Sequence, residues 1–205
     1  MIDALIKIGG SLYSSVDLPE LRAHWARLAQ RHRILALPGG GPFADQVRAA
    51  DTRYRLSDSA AHWMAILAMD QYAYLLADLI PNAMLIRDHA SAKKVCKEKR
   101  LTILAPSTLL LEHDPLPHSW NVTSDSIAAW VAARWQIKLL VLIKSTEMPT
   151  EEAQVDDLVT SELVDPYFGD ALQPETTCWI VDGRQPEHLA ALLKGETRHG
   201  LRVYR

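Results

Sequence analysis

Apolar residues in this chain come in short unbroken runs, separated by longer stretches in which apolar and polar positions alternate with helical period. The runs at 5–8, 34–37, 83–86, 101–104, 138–143, 178–181 and 201–204 read as strands apolar on both faces. Between them, 19–33 reads as an amphipathic helix carrying Leu21, Trp25, Leu28 and Ala29 on one side. A helix starts at 43–50 after the turn Pro38-Gly39-Gly40-Gly41-Pro42, and Ser57 caps a long helix that reaches Leu79 and ends before Pro81. Further helices are predicted at 93–99 (rich in lysine), as a turn at 106–111, from the Thr123 cap through Arg134, over most of 151–172 with a break at Pro166, and at 186–193. Doubly apolar strands alternating with helices predict an α/β fold. The architecture expected is a three-layer αβα sandwich with a mostly parallel central sheet, as a single domain over 1–205.

Composition narrows the function classes. The 205 residues are 48% hydrophobic and 23% charged, with a net charge of −3, which recommends neither a nucleic-acid partner nor an anionic membrane surface. No window approaches the roughly 18 apolar residues of a membrane span. Two cysteines, Cys96 and Cys178, make neither a disulfide framework nor a zinc cluster. The first eight residues lack a basic leader, so a cytoplasmic protein is expected.

Glycine is scarce and clustered. Of nine, five fall in Gly9-Gly10 and Gly39-Gly40-Gly41, after the first and second strands, and none lies between Gly41 and Gly169. Ligands of open α/β sheets sit beyond the carboxyl ends of the strands. Consecutive glycines there either serve tight turns that need positive φ, or aim several N–H groups at one anion beside a helix N-terminus. Neither cluster is a Walker A loop or a Gly-x-Gly-x-x-Gly fingerprint. Lys7 sits inside an apolar strand and Lys144 closes another, placements that are costly unless the ammonium meets an anion or snorkels to water. Asp125, in the first turn after Thr123, suits the helix dipole and also suits holding two lysines in register.

These residues carry a resemblance. Ile6-Lys7-Ile8-Gly9-Gly10-Ser11, Leu37-Pro38-Gly39-Gly40-Gly41-Pro42-Phe43-Ala44-Asp45, Thr123-Ser124-Asp125-Ser126-Ile127-Ala128-Ala129 and the tail Ile180-Val181-Asp182-Gly183-Arg184-Gln185-Pro186 together resemble the amino acid kinase superfamily. Leu56 to Gln71 is similar to its methanofuran-biosynthesis branch. The resemblance implies a cytoplasmic homodimer using ATP with Mg2+ to phosphorylate a small phosphomonoester, [5-(aminomethyl)furan-3-yl]methyl phosphate. Lys7, Asp125 and Lys144 would be catalytic, with Asp125 organising the lysines. Gly9, Gly10 and Ser11 would hold nucleotide phosphates, and Gly39, Gly40, Gly41, His62 and Thr123 would line the acceptor side. The alternatives are a kinase of another small acid or phosphate, and a catalytically silent nucleotide- or oxyanion-binding protein of the same fold.

One segment departs from the family pattern. After Lys144 the family carries a glycine-containing nucleotide loop, and here the sequence is Ser145-Thr146-Glu147-Met148-Pro149-Thr150. This loop and 105–120 are lid candidates. His62 falls on the stripe with Ile66, Met69, Ala73 and Leu76, so it reads equally as a core residue or an acceptor contact. One of Arg48, Arg53 and Arg55 is a candidate partner for a phosphate ester. His113 and His118 find no partner at metal-ligand spacing and read as loop.

Overall fold

Eight strands among the described residues form one sheet. In order along the chain they are β1 (Ala4–Ile8), β2 (Ile34–Pro38), β3 (Met84–Ile86), β4 (Thr102–Leu104), β5 (Leu139–Lys144), β6 (Ala153–Gln154), β7 (Thr177–Asp182) and β8 (Gly200–Tyr204). Across the sheet the order is β3-β4-β2-β1-β5-β7-β8-β6. The six strands from β3 to β7 in that order are mutually parallel; β8 runs antiparallel to β7, and β6 pairs parallel to β8. This computed structural model describes residues 2–14, 18–147 and 152–205. The helices are α1 (Leu18–Ala29), α2 (Gly41–Tyr54), α3 (Asp58–Leu79), α4 (His89–Lys97), α5 (Ser107–His113), α6 (Ser124–Arg134), α7 (Val155–Thr160), α8 (Phe168–Ala171) and α9 (Pro186–Leu193).

Strand pleating sends alternate side chains into two separate cores. Leu5, Leu35, Leu37, Leu140 and Leu142 share one with α4, α5, α6 and α8. Ile6, Ile8, Ile34, Ala36, Val141 and Ile143 share the other with Leu21 and Trp25 of α1 and Leu189 of α9. The long α3 feeds both, Ile66 and Met69 into the first and Tyr72 and Leu76 into the second. Every residue of β1 and β2 is buried, which explains why their sequences show no polar alternation. The expected three-layer α/β sandwich is therefore the fold. No helix among the described residues is long and apolar enough to cross a membrane.

One expectation fails. The segment 151–172 is not mostly helical: Ala153–Gln154 is edge strand β6, and only the short α7 and α8 follow. Glu162 takes a left-handed φ of 55° that ends α7, and Pro166 has no N–H to continue a helix.

The turn between those helices carries Asp165, the residue that starts α6. Thr123 stands at the N-cap, but its hydroxyl does not cap; it donates to Asp165 Oδ2 at 2.8 Å. Asp165 Oδ2 also accepts from the backbone N–H groups of Thr123 and Ser126, each at 3.0 Å, and Oδ1 from the Ser126 hydroxyl and from the Tyr167 N–H at 3.2 Å. A carboxylate about forty residues downstream thus does the work of a local cap. Asp165→Ala removes that cap and strands the buried Ser126 hydroxyl and the half-buried Thr123 hydroxyl. It should cost about 2–4 kcal/mol in urea unfolding, whereas Glu162→Ala, on the exposed surface nearby, should cost well under half of that.

Candidate active site

Lys7 and Lys144 stand on neighbouring strands with the parity of Leu142, so both project from the sheet face that α6 covers. Asp125, in the first turn of α6, lies between them. Lys7 Nζ is 2.9 Å from Asp125 Oδ1, and Lys144 Nζ donates to Oδ2 at 2.6 Å. Lys7 and Asp125 are buried at 4% and 3% exposure. Burial pushes the Asp125 carboxyl up, but the two ammonium charges outweigh it and hold it below the usual aspartate range. Burial, and then the nearby Lys7 charge, pull Lys144 below an ordinary lysine against the attraction of Asp125. Two ammonium groups on one carboxylate leave a surplus positive charge in a nearly dry setting, which favours an incoming anion.

The two glycine clusters lie on each other. A Cβ at Gly10 would meet Gly41 N at 2.6 Å, and one at Gly39 would meet Ser124 Oγ at 3.0 Å and Gly10 N at 3.1 Å. Gly9 donates to Ile143 O at 3.0 Å, the atom its own Cβ would strike at 2.7 Å. Of the five, Gly41 alone takes a positive φ, +53°. Of the two readings of these clusters, left-handed turn backbone therefore applies to Gly41 alone; Gly9, Gly10 and Gly39 sit where backbone packs closely on backbone, and a Cβ at Gly40 would strike the Ala44 side chain. That packing brings the loops after β1 and β2 together beside the N-termini of α2 and α6, where helix dipoles add positive potential. Ser145 Oγ donates to Ser11 Oγ at 2.7 Å, tying the segment after β5 to the loop after β1.

A cavity of about 400 Å³ opens over this floor. Lys7, Gly10, Ser11, Gly40, Gly41, His62, Thr123, Asp125 and Lys144 all border it, whereas Gly9 and Gly39 do not reach its wall. His62 is buried within the wall, and its ring stacks on His118 at 4.3 Å. Of the three arginines, Arg48 alone reaches the cavity; it pairs with Asp45 at 3.2 Å and lies 4.8 Å over the Trp120 ring. Arg53 turns to Tyr54, and Arg55 forms the left-handed end of α2. The tail motif lands beside the lysines. Lys144 pairs in register with Asp182, whose carboxylate takes both Arg184 Nε and Nη2, and Gly183 donates to Lys144 O at 2.7 Å. Of the atypical loop, Met148, Pro149 and Thr150 lie outside the described residues.

Sequence reasoning missed Trp120, Asp165 and Asp58. Trp120 looked like loop, yet its Nε1 donates to Asp51 Oδ2 at 2.7 Å across 69 residues, and that bond fixes the ring as a wall. Asp58, at the start of α3, borders the cavity by virtue of where that helix begins. No local pattern marks such contacts. Because Asp125 titrates lower folded than unfolded, its stabilisation is complete above the unfolded carboxylate range and is lost as pH falls through the folded value. Asp125→Ala leaves two buried ammonium groups facing each other and should cost about 3–5 kcal/mol at neutral pH. Denaturant unfolding followed down to about pH 2 should show the wild type losing stability that Asp125→Asn has already lost.

Comparison with known proteins places the chain in a family. The model of the amino acid kinase family matches residues 4–148. A [5-(aminomethyl)furan-3-yl]methyl phosphate kinase from Methanocaldococcus jannaschii is 27% identical over 206 residues, covering 94% of this chain and 93% of that protein. Among solved structures, uridylate kinase from Archaeoglobus fulgidus superposes with a TM-score of 0.72 at 18% identity, covering 99% of this chain and 100% of that one. UMP kinase from Ureaplasma parvum gives 0.70 at 13% identity, covering 98% of each chain. At such identities the solved structures speak for the fold alone. The family match spans well over half of the chain, from β1 through Lys144 and beyond, and it takes in both glycine loops, Asp125 and both lysines: the chain belongs to the amino acid kinase family.

Proposed function

We propose that this protein transfers the γ-phosphoryl group of ATP to a small phosphomonoester, [5-(aminomethyl)furan-3-yl]methyl phosphate, and so forms the diphosphate. Phosphotransfer itself follows from the family and from its kinase relative. The acceptor is inferred from that relative, which is similar over nearly the whole of both chains. The observation that carries the reading is the buried Lys7–Asp125–Lys144 triad, with its surplus positive charge, on the floor of the cavity.

In-line phosphoryl transfer asks for positioning and charge neutralisation more than for covalent help. Lys7 and Lys144 offer point charges to the phosphoryl oxygens, and Asp125 keeps the two ammonium groups apart and aimed. Both Asp125 oxygens are taken by lysines, so this carboxylate is not offered to a metal. Mg2+ would therefore arrive on the nucleotide, where it neutralises phosphate oxygens. The N–H groups of Gly10 and Ser11 suit the donor phosphates, with Gly9 shaping their turn. Gly40 and Gly41, shaped by Gly39, suit the acceptor together with Thr123, His62 and Arg48. A phosphate acceptor is already nucleophilic and needs no general base. Asp58, exposed at the start of α3, gives the rim a negative group that an acceptor bearing an ammonium would meet, whereas Asp45 is paired with Arg48.

The test is ADP release from ATP and Mg2+ against a panel of small acceptors. Phosphomonoesters should turn over, and turnover of glutamate or aspartate with no phosphate ester accepted would overturn the reading. Lys7→Ala or Lys144→Ala should lower kcat by about 10²–10³-fold while KM for ATP moves much less. Lys7→Arg should not restore turnover, because a planar fork cannot occupy the position of an ammonium point charge.

A further inference from the structure

At the edge of the same cavity, away from the lysines, three metal-ligating side chains converge from two separate stretches of chain. His62 comes from the second turn of α3, and Asp114 and His118 from the segment after α5. Among the described residues they form a group whose donor atoms all lie within 4.8 Å of one another. His118 Nε2 sits 2.8 Å from Asp114 Oδ1, and the His62 ring stacks on the His118 ring at 4.3 Å with 18° between planes.

The backbone holds this arrangement ready. Asp114 ends α5 in a left-handed conformation, φ 38°, uncommon outside glycine, asparagine and aspartate, and this swings its carboxylate off the helix axis. Pro115 and Pro117 stiffen the turn that follows, and Leu116 between them is buried in the core at 6% exposure. The other end of α5 is fastened to α3, since Asp70 Oδ1 accepts from Ser107 N at 3.1 Å. His118 Nδ1 lies 3.1 Å from Ser59 Oγ, one helical turn before His62 on α3. A partner on Nδ1 of this kind orients a metal-binding imidazole and leaves Nε2 for the ion.

We propose that His62, Asp114 and His118 bind one divalent transition-metal ion of the Zn2+, Co2+ or Ni2+ class, which clips the 113–120 segment to α3 at the cavity rim. Two imidazoles with one carboxylate suit these ions rather than Mg2+ or Ca2+, which prefer all-oxygen shells. Turning the His62 ring about its Cβ–Cγ bond aims a nitrogen at the point shared by His118 Nε2 and Asp114 Oδ1, with the His118–Ser59 contact kept. Three protein donors leave a fourth tetrahedral position for water or for an anionic oxygen in the cavity.

The test is titration of the full chain with Co2+, without nucleotide, acceptor or Mg2+, so that its outcome is independent of kinase activity. The expected result is one Co2+ per chain with the visible absorption of a tetrahedral nitrogen and oxygen site, bleached by Zn2+. His118→Ala should weaken binding at least tenfold. Asp114→Asn, a change at an exposed side chain that tests the same ligand set should His118→Ala fold poorly, should do the same. His113→Ala should leave binding intact, because His113 is engaged with Leu109 O and Arg134. His188→Ala should also leave it intact, although His188 stacks with His199 elsewhere on the surface. A wild-type titration with no tetrahedral signal overturns the proposal, as does a signal that survives both His118→Ala and Asp114→Asn or one that vanishes with His188→Ala.

Discussion

One carboxylate shared by two buried ammonium groups is the constraint around which this molecule is arranged. Without Asp125, Lys7 and Lys144 would face each other across neighbouring strands in a setting too dry to screen them. With it they stand in fixed positions and carry a charge surplus that only an anion relieves. The same electrostatic frustration that makes the triad costly to fold makes it suited to a phosphoryl group whose charge shifts during transfer.

Several distant elements serve that placement. The strands deliver the lysines to one face of the sheet, since Lys7 and Lys144 share the parity of their leucine neighbours. The helix delivers the carboxylate, and Asp165 sets where the helix starts by collecting the N–H groups and hydroxyls of Thr123 and Ser126. The glycine loops close the floor by resting on each other, with Gly10 against Gly41 and Gly39 against Gly10. A side chain at Gly10 would push apart the two loops assigned to donor and acceptor, so its effect on phosphate binding would come through their spacing.

The cavity therefore has two chemically different ends. The floor is cationic and built from sheet termini. The rim is mixed, with Asp45, Arg48 and Trp120 stacked on one side and His62 with His118 on the other. α3 holds the start of α5 through Asp70, which accepts from the Ser107 N–H, and meets the segment after α5 at this rim through the side chains of Ser59 and His118. A contact of that kind can be tightened by an added ligand without disturbing the sheet.

The sequence by itself determined the layers, because strands buried on both faces must be apolar throughout and helices between them must carry an apolar stripe. It also marked Lys7, Lys144, Asp125 and the glycine clusters, since a lysine in an apolar strand and glycine in a glycine-poor chain break local rules visibly. It misread 151–172, where apolar residues spaced for a helix are divided between β6 and two short helices by a left-handed Glu162 and by Pro166. Tertiary structure alone decided that Asp165 caps α6, that Trp120 and Arg48 wall the cavity, and that His62 meets Asp114 and His118. Each of these contacts joins elements distant in the chain through a few directional polar atoms, and such bonds leave no periodic trace: an aspartate forty residues away reads like any surface aspartate until the fold brings a helix N-terminus to it.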